Sequence, residues 1–399
     1  MRLAIYSDYG YRYDGEQLWA ELSVVLFLGG LARWFDRVTL MGRLDPEPGR
    51  WDYRVPSEVS FAALPHYPTL ARPTAALRAL VASMRCFWRV LDDVDAVWLL
   101  GPHPFALPFV ALAWIRRRRV FLGVRQDFPA YVANRHPRRP VLRVAALALE
   151  AAWRLLARAC PVVVVGSDLA HRYRSAKRVL PIAISLVREG ELAEQSSIAR
   201  RDYRGELRVL SVGRLAAEKN PLLLADVLAE LVARDPRWRL TVCGDGPLAG
   251  ELRERLDRLG VAERAELLGF VSLDEQLPEL YRSSHLLLHC SWTEGMPQVL
   301  IEAFAARLPI VATAVGGVAQ AAEGAALLIP PGDADAAAEA LRRLAEDERL
   351  RAELTEAGAA RAREQSLEAQ TRKVAQFFGA VADATRPSPA RRSDSAARG

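Results

Sequence analysis

The sequence has few cysteines and lacks a long uninterrupted apolar run. Its cysteines are spread over 399 residues without a CxxC pair; they are Cys86, Cys160, Cys243 and Cys290. Zinc sites and disulfide frameworks use closely spaced cysteines, so neither is expected, and a reducing cytoplasm fits best. The nearest approach to a membrane span, Phe105 to Ile115, contains Pro108 and falls short of the ~18 residues that a span needs.

The first ten residues, MRLAIYSDYG, also lack the apolar core of a signal peptide and are predicted to form a first β-strand. We therefore expect a cytoplasmic protein. With 51% hydrophobic and 26% charged residues, the composition is that of a globular protein and excludes wholesale disorder. The length suits two domains of roughly 150–200 residues each.

Positive charge is concentrated in the first half of the chain. Residues 1–195 hold 27 Lys/Arg against 18 Asp/Glu, whereas residues 196–399 hold 27 against 30. Such a bias suits an acidic partner, either a phosphorylated acceptor or the anionic inner face of a membrane, touched peripherally. The alternative is arginine on solvated helix faces without any partner. The arginines follow no RNP-type or KH-type pattern, so nucleic acid is not an expected partner.

Short β-branched runs alternate with longer helical patterns in both halves. The predicted strands of the first half are Leu3–Tyr6, Arg37–Met41, Ala96–Leu100, Val120–Val124 and Pro161–Val165. Those of the second half are Arg208–Val212, Arg239–Cys243, Ala265–Leu268, Leu286–Cys290, Ile310–Ala314 and Ala326–Ile329. Helical periodicity is found in Gln17–Trp34, Thr74–Val90 and Val141–Ala159. The alternation predicts an α/β protein with two parallel, doubly wound sheets built from βαβ units.

These elements predict two Rossmann-like domains, residues 1–190 and 207–365. The polar segment 191–206 has no apolar period and is predicted to be a linker. Residues 366–385 are expected to form a C-terminal helix that packs back toward the N-terminal domain. Residues 386–399, rich in Pro, Ser, Ala and Arg, are predicted to be disordered. In doubly wound domains, ligands bind at the carboxyl ends of the strands, so the functional site is expected there.

The loop after the first strand of the second half carries two cations. Gly213 lets the backbone approach a ligand, and Arg214 and Lys219 project from the same loop. Two such cations suit a diphosphate leaving group where no metal is available. The alternative is a solvated loop whose charges pair with Glu218.

A glycine-rich turn follows the next strand. Gly244, Gly246 and Ala249 have the spacing of a dinucleotide fingerprint, a weak signal because it follows the second strand of its half rather than the first. Pro247 also removes a backbone N–H that the fingerprint would offer. We interpret the turn as the border of a nucleotide site and keep NAD binding as the less favoured alternative.

The most informative segment is SWTEGMPQVLIEA, which follows the fourth strand of the second half. Pro297 suits the first position of a helix, so Gln298 and Val299 would present N–H groups at the positive end of the helix dipole. Such an end binds phosphate. Glu294 would lie before the helix and Glu302 within it, roughly 12 Å apart at 1.5 Å per residue. One carboxylate would then contact a sugar and the other a ribose.

Both acids also have a purely structural interpretation. Glu294 would be a helix-cap charge, and Glu302 would be the partner in a buried ion pair. Two further strands end in glycine-containing turns, which contribute Gly316 with Gly317 and Phe270 with Val271. Either turn could be turn chemistry alone.

In order and spacing, these segments resemble the retaining glycosyltransferases of family 4, which have the GT-B fold. The resemblance covers roughly residues 207–333 in the runs VGRLAAEKN, GDGP, GF, EGMPQVLIEA and PIVATAVGG. It implies two Rossmann-like domains facing across a cleft and a hexosyltransferase of carbohydrate or glycolipid biosynthesis. Such an enzyme takes a nucleotide-diphosphate sugar, needs no metal or other cofactor, and transfers the sugar with retention. The acceptor, whether a glycan, a glycolipid or a small molecule, is not identified by the sequence.

The resemblance also implies a role for each matching residue. Arg214 and Lys219 would hold the donor diphosphate. Glu294 and Glu302 match the family's E-x7-E motif, in which the first acid contacts the transferred sugar and the second binds the ribose hydroxyls. The other donor-site candidates are Gly213, Gly244, Gly246, Pro247, Phe270, Val271, Gly295, Met296, Pro297, Gln298, Val299, Gly316 and Gly317.

The first half matches the family less well. Family members often place a histidine at the end of the third predicted strand, near the acceptor and the sugar, whereas here the histidine is His103, beyond that strand. We take His103, Arg125 and Asp127 as candidates for this side of the site, with a plain loop histidine as the alternative for His103. Gly10 and Gly15 could approach the donor phosphates, although a plain turn explains them equally well.

A metal-dependent transferase of the GT-A type would use an Asp-x-Asp motif, which Asp93-Val-Asp95 and Asp333-Ala-Asp335 match. The first pair precedes its strand, at the wrong end of a parallel sheet for a ligand, and the second is predicted to start a helix. We therefore expect no metal.

Two other function classes remain as alternatives. One is an epimerase-like enzyme that binds a nucleotide sugar without a separate acceptor. The other is a non-catalytic protein that keeps the donor pocket, which the complete set of charged donor-site residues disfavours.

Overall fold

The computed structural model describes residues 1–69, 72–136, 138–194, 201–271, 276–295 and 297–384. The chain forms two compact units, each with its own sheet and core. The first unit comprises Met1–Val164, Leu169–Ile182 and the chain from Thr371 onward; the second comprises Val165–Asp168 and Ala183–Gln370.

The described part of the first unit is built on a nine-stranded sheet. Its strands are β1 (Arg2–Tyr13), β2 (Leu18–Ala20), β3 (Arg37–Leu44), β4 (Tyr53–Arg54), β5 (Ser60–Leu64), β6 (Ala96–Gly101), β7 (Arg119–Val124), β8 (Val162–Val165) and β9 (Val179–Ile182). Strand β1 pairs in parallel with β3 on one side and β6 on the other, and β7 and β8 continue the parallel ladder beyond β6. The far end of β1 pairs antiparallel with β2, which pairs with β4.

The second unit has a six-stranded parallel sheet in the order β12-β11-β10-β13-β14-β15. These strands are β10 (Leu207–Val212), β11 (Trp238–Cys243), β12 (Ala265–Gly269), β13 (Leu286–His289), β14 (Ile310–Thr313) and β15 (Leu327–Ile329). Strands β13 and β14 are mostly apolar and are buried along their whole length, as expected where helices cover both faces of a parallel sheet.

Helices connect the strands in both units. They are α1 (Val24–Gly30), α2 (Pro73–Val90), α3 (Ala106–Ile115), α4 (Phe128–Arg135), α5 (Pro140–Ala157), α6 (Ser167–Arg172), α7 (Leu223–Arg234), α8 (Ala249–Arg258), α9 (Gln276–Ser283), α10 (Gln298–Ala305), α11 (Gly317–Ala322), α12 (Ala334–Glu346), α13 (Glu348–Glu364) and α14 (Leu367–Ala384). Together with the parallel sheets they confirm the predicted α/β class with two doubly wound units.

Chain order reverses at one point in each sheet. In the second sheet the chain runs outward from β10 to β12 and then crosses to β13 on the other side of β10. In the first sheet, β1 lies between β3 and β6 in the same way. The carboxyl ends of the strands beside such a reversal form a crevice that suits ligands, which directs attention to the loops after β10 and β13 and after β1 and β6.

One helix prediction was wrong. Residues Gln17–Trp34 form the short strand β2 before the seven-residue helix α1 rather than one long helix. Strand β1 also runs on to Tyr13, well beyond the predicted Tyr6. Its pairing with β2 supplies the backbone hydrogen bonds that a helix would otherwise provide.

The second unit begins at Ala183, whereas the predicted first domain extends to residue 190. The physical reason is packing: Ala183 and Val187 are buried in the core of the second unit, and the N–H of Ala193 donates to the carbonyl of Ala305 at 2.8 Å. Residues 195–200 of the predicted linker lie outside the described residues, as does the predicted tail 386–399.

The C-terminal helix α14 completes the core of the first unit. The fully buried ring of Phe378 stacks on Phe121 of β7, with centroids 3.7 Å apart and 13° between the planes. It meets Trp98 of β6 edge-on at 5.5 Å and Phe35 at 6.0 Å. The first unit therefore receives its last core aromatic from near the end of the chain.

Among the residues that the structure describes, no helix combines the length and apolarity that crossing a bilayer requires.

Replacing the buried ring of α14 tests this packing. Phe378→Ala should lower the free energy of unfolding of the first unit by about 3–5 kcal/mol, because it removes the ring and leaves a cavity. Phe377→Ala is the matched control, since that neighbouring ring is only partly buried and lies 6.4 Å from Phe121. Urea unfolding followed by tryptophan fluorescence measures both. Equal losses in the two variants would contradict the assignment.

Candidate functional site

The loops after β10 and β11 are packed backbone against backbone. A Cβ atom on Gly244 would lie 1.9 Å from the carbonyl oxygen of Gly213, and one on Gly246 would lie 2.4 Å from that of Leu215. The N–H of Gly213 also donates to the carbonyl of Cys243 at 2.9 Å. The two predicted glycines of the GDGP turn therefore hold the loop that carries Arg214 and Lys219 close to its neighbour.

The centre of the site is an ion pair across the chain reversal. The ammonium of Lys219, after β10, donates to Oε1 of Glu294, after β13. The hydroxyl of Ser291 donates to the same oxygen at 3.0 Å, and Nε2 of His289 lies 3.2 Å from it. Three donors thus converge on Oε1 of Glu294, and Oε2 receives none of them.

These donors control the charge of Glu294, whose side chain is only 9% exposed. Burial raises the pKa of this carboxyl, but the hydrogen bond from His289 and the charge and hydrogen bond of Lys219 outweigh it and lower the pKa to about 2. The carboxylate is therefore ionised and fixed in orientation at neutral pH.

The turn after β14 packs directly on Glu294. Gly316 has φ 46° and ψ −132°, and a Cβ there would lie 2.1 Å from the carbonyl oxygen of Glu294. The N–H of Gly317 donates to that carbonyl at 3.3 Å. The backbone conformation of Gly316 and its close approach to Glu294 both require glycine at this position. The paired glycines thus hold the backbone of Glu294 in place.

Helix α10 starts one residue later than predicted. Pro297 is the N-cap residue, with ψ 118°, and Gln298 is the first helical residue. The first hydrogen bond of the helix is donated by the N–H of Leu300 to the carbonyl of Pro297 at 3.3 Å. The N–H groups of Gln298 and Val299 lie before this bond. Met296 lies outside the described residues.

Glu302 lies one turn inside α10. Its Oε2 accepts a hydrogen bond of 2.7 Å from the hydroxyl of Tyr281 on α9. Burial raises the pKa of Glu302, partly offset by this hydrogen bond, and the negative charge of Glu191 raises it further. The environment of Glu302 thus differs from that of Glu294, because neither Tyr281 nor Glu191 is a cation that could neutralise its carboxylate.

Arg214 lies on the outer side of its loop. Its guanidinium bonds to Glu218 at 2.9 Å and is largely exposed, which matches the alternative of a charge paired within the loop. A cavity of about 20 Å³ lies between this loop and His289, enough for about one water molecule and far too small for a sugar.

The remaining candidates of the second unit border the same strand ends. Gly269 ends β12 with φ 68°, and the ring of Phe270 beyond it is 72% exposed. Val271 packs against the core of the second unit. Pro247 precedes α8, and Gly295 has open space around its Cα. An exposed ring at this position offers a flat apolar face to a ligand.

His103 follows β6 and lies in a polar cluster of the first unit. Its Nε2 is 3.1 Å from Oδ2 of Asp8, and its Nδ1 is 2.9 Å from the hydroxyl of Tyr6. The hydroxyl of Tyr67 donates to Asp8, and Arg43 lies 3.3 Å from the same carboxylate. His103 is therefore not a plain loop histidine, which was the alternative considered above.

The charge of this cluster is set by its contacts. Burial raises the pKa of Asp8, but the hydrogen bond and charge of His103, with the charge of Arg43, lower it overall. Asp8 lies on β1, so the cluster joins the two strands that flank the chain reversal of the first sheet.

Two other first-unit candidates have structural partners. The guanidinium of Arg125 donates to the hydroxyl of Tyr9 and lies 5.0 Å from the centre of its ring. Asp127 caps α4 by accepting from the N–H of Ala130 and pairs with Arg172 at 2.6 Å. Asp127 therefore serves the start of a helix.

The two glycines of the first unit also have local explanations. Gly10 lies within β1 rather than in a loop, and a Cβ there would lie 2.5 Å from the ring of Trp51. Gly15, with φ 103°, lies in the turn between β1 and β2, where the carboxylate of Asp14 accepts from the N–H groups of Glu16 and Gln17. Gly15 is thus explained by its turn, and Gly10 by its packing against the ring of Trp51.

The two Asp-x-Asp strings lie at the start of a helix and before a strand. Asp333 caps α12 by accepting from the N–H of Ala336 at 2.9 Å, and Asp335 lies in the first turn. Asp95 precedes β6 and pairs with Arg2 at 3.1 Å. In the part of the chain that the structure describes, His, Cys, Asp and Glu side chains form no group of three able to hold a metal ion.

Sequence reasoning missed the residues that support the charged ones. His289 lies at the end of a buried strand, and Asp8 and Tyr67 are isolated in sequence. One signal was available: Asp8 follows the run Leu3–Tyr6 and His103 follows the neighbouring strand, so both belong to one edge of a parallel sheet.

The region that carries the ion pair also matches a known family by sequence. Residues 195–361 match the family model described as glycosyl transferases group 1. The matched region holds Arg214, Lys219, Glu294 and Glu302, and so contains the charged donor-site candidates of the second unit.

Relatives of known identity match part of the chain. The alpha-D-kanosaminyltransferase of Streptomyces kanamyceticus is 31% identical over 171 residues, which is 42% of this chain and 43% of that protein. The phosphatidylinositol N-acetylglucosaminyltransferase gpi3 subunit of Schizosaccharomyces pombe is 34% identical over 142 residues, or 36% and 30% of the two chains. The chain thus spans less than half the length of these curated relatives.

The fold as a whole has counterparts among solved structures. The crystal structure of Anabaena Alr3699/HepE in complex with UDP superposes with a TM-score of 0.70 at 17% identity, covering 95% of this chain and all of that one. The expected GT-B fold is confirmed by this likeness, which concerns the fold alone.

The low pKa of Glu294 predicts a specific loss of stability in acid. Since the folded state holds this pKa at about 2, below the ordinary 4.5, the carboxylate stabilises the fold above pH 4.5, and this contribution is lost as the pH falls toward 2. Between pH 5 and pH 3 the wild type should lose about 2 kcal/mol more stability than Glu294→Gln, which cannot titrate. Denaturant unfolding at the two pH values measures this. Equal losses would show that Glu294 is not held as an anion.

Proposed function

We propose that the protein is a glycosyltransferase that moves a hexose-type sugar from a nucleotide-diphosphate donor to a hydroxyl acceptor, without a metal and with retention at the anomeric carbon. The observation that carries the proposal is the ion pair of Lys219 with Glu294 at the chain reversal of the second sheet, inside the region that matches group 1 glycosyl transferases. Neither alternative, the epimerase-like enzyme or the non-catalytic binding protein, is supported by the relatives named above.

The diphosphate is assigned to the cations and to the start of α10. Lys219 has three N–H donors, of which Glu294 uses one, so its ammonium can bond a phosphate oxygen while the ion pair persists. Arg214 is exposed and pairs with Glu218 of its own loop, from which it can turn toward a phosphate. The N–H groups of Gln298 and Val299 add the positive end of the helix dipole. These groups would stabilise the charge that develops on the leaving diphosphate.

The two acids are assigned to the two sugars of the donor. Lys219, Ser291 and His289 fix Oε1 of Glu294, which leaves Oε2 to accept from the hydroxyls of the transferred hexose. Glu302 would accept from the ribose hydroxyls, and Tyr281 holds its carboxylate in orientation. Phe270 offers its exposed ring to the base.

The acceptor side is assigned to the first unit. During transfer the bond from the anomeric carbon to the diphosphate oxygen breaks and a bond to the acceptor oxygen forms. The proton of the acceptor hydroxyl passes to an oxygen of the departing diphosphate. His103, held by Asp8, is the group we assign to contact this hydroxyl. Arg125 remains a candidate for binding the acceptor. A cytoplasmic location and a peripheral membrane contact, expected from cysteine usage and from the basic first half, are part of the proposal.

Nucleotide binding separates the role of Lys219 from its contribution to the fold. UDP or GDP at 100 times its Kd should stabilise the wild type by about 2.7 kcal/mol in thermal unfolding. Lys219→Ala should lose most of this shift because the diphosphate loses a cation, and UMP or GMP should stabilise the wild type less than the diphosphates. Lys177→Ala, at an exposed lysine of the first unit, is the control and should keep the full shift. If Lys219→Ala bound UDP and GDP as tightly as the control, the assignment of the diphosphate would be wrong.

Turnover tests the role of Glu294. With a panel of UDP- and GDP-hexoses, Glu294→Gln should lower the rate of donor cleavage by about 10²–10³-fold, as for loss of one charged contact in the transition state. Its binding of UDP or GDP should stay within about tenfold of wild type, since Lys219 remains. Release of nucleotide from the donor, followed by chromatography, gives the rate. A variant that cleaves the donor at the wild-type rate would remove Glu294 from the mechanism.

A further inference from the structure

Helix α5 of the first unit has an outward face without a single charged residue. Ala146, Glu150, Trp153 and Ala157 form the buried face of this helix. The opposite face, at helical spacing, consists of Val141, Val144, Ala148, Ala151 and Leu155, all exposed. The large side chains on and beside this face, including Leu147, are between 58 and 78% exposed. A water-facing helix surface normally carries its polar residues here.

The surroundings of this face are strongly basic. Residues 128–158, which comprise α4, α5 and the loop between them, contain six arginines: Arg135, Arg138, Arg139, Arg143, Arg154 and Arg158. All six are exposed. Glu150 is the sole acidic residue of the segment in the sequence, and it is buried with its carboxylate accepting from Tyr173 at 2.8 Å. The segment therefore presents positive charge and no surface acid, in a chain that has 48 Asp/Glu overall.

An aromatic side chain lies near the same surface. Helix α4 packs against α5 and carries Tyr131, which is partly exposed and accepts a hydrogen bond of 2.9 Å from Arg135. Tyrosine with an apolar ring and a polar end is suited to the boundary between a lipid phase and water.

We infer that the outward face of α5, with the arginines around it, docks the first unit on an anionic phospholipid bilayer. The helix would lie in the plane of the interface, with Val141, Val144 and Leu155 entering the headgroup region and the arginines bonding lipid phosphates. At 18 residues the helix is roughly 27 Å long, so the contact covers several lipids. The inference gives a place to the peripheral membrane contact proposed above, and it does not depend on the proposed reaction.

The positive charge around α5 favours a bilayer over a second copy of the chain as the partner of this face. Two copies joined through the same patch would place two sets of arginines opposite each other, and like charges facing each other oppose association. A bilayer offers anionic groups to the arginines and an apolar phase to the valines and leucines.

Sedimentation with vesicles tests the inference on the whole chain. Phosphatidylcholine vesicles containing phosphatidylglycerol should carry the wild type into the pellet at low salt, whereas pure phosphatidylcholine vesicles should not. About 1 M salt should release the protein, because the screening length falls to ~3 Å. Arg138→Gln with Arg139→Gln and Arg158→Gln should lower the partition coefficient by about 100-fold, at roughly fivefold per arginine.

The apolar face is tested separately from the charge. Val144→Glu with Leu155→Glu should abolish pelleting, while Leu77→Glu with Val81→Glu, at two exposed apolar residues of α2, should leave it unchanged. All of these side chains are exposed, and thermal unfolding should show that each variant is folded. Three results would overturn the inference: no wild-type binding to anionic vesicles, an equal loss in the α2 variant, or a wild-type dimer that the α5 substitutions dissociate in analytical ultracentrifugation.

Discussion

The site of the second unit depends on one ion pair between neighbouring loops. Lys219 and Glu294 are 75 residues apart in sequence and meet because β10 and β13 are adjacent strands. A carboxylate as buried as that of Glu294 would be costly without a cation, and the ammonium supplies it. The glycines then have a common purpose: Gly244 lets the loop of Lys219 close on its neighbour, and Gly316 lets the third loop pack on the carbonyl of Glu294.

The composition makes the lysine at position 219 unusual, since Lys219 is one of only three lysines among 54 basic residues. A lysine gives a compact ammonium with three donors, which fits between a carboxylate and a phosphate better than a planar guanidinium.

The first unit repeats the same arrangement with different chemistry. Its sheet also reverses beside its first strand, and there Asp8 meets His103 across the ends of β1 and β6. In both units a carboxylate is thus held anionic by a basic partner from the adjacent strand, and burial works against it each time. The first cluster is more tightly bonded internally, since both nitrogens of His103 have partners in Asp8, Tyr67 and Tyr6.

The sequence was most informative where local pattern determines structure. The strand positions of the second half were correct to within about a residue, because parallel strands buried on both faces are continuous apolar runs. The approach of Arg214, Lys219 and Glu294 to one edge of the sheet followed from their positions after strands. What could not be predicted depends on contacts distant in sequence. Residues 17–34 have a helical period, but pairing with the long β1 makes part of them a strand. His289 and Asp8 gained their importance from neighbours that no local pattern reveals, and Gly10 was explained by Trp51, which folds onto it.

Helix α14 has a consequence for the order in which the protein is assembled. Apart from residues 165–168, the second unit is a single continuous stretch, Ala183–Gln370, inserted into the first. Synthesis on the ribosome therefore delivers the whole second unit before Phe378 emerges to fill the place between Phe121 and Trp98. Until then the first unit, most of which is translated early, lacks part of its core. The second unit, although translated later, therefore completes its core first. An aromatic pocket left open during translation is a hydrophobic surface of the kind that chaperones bind.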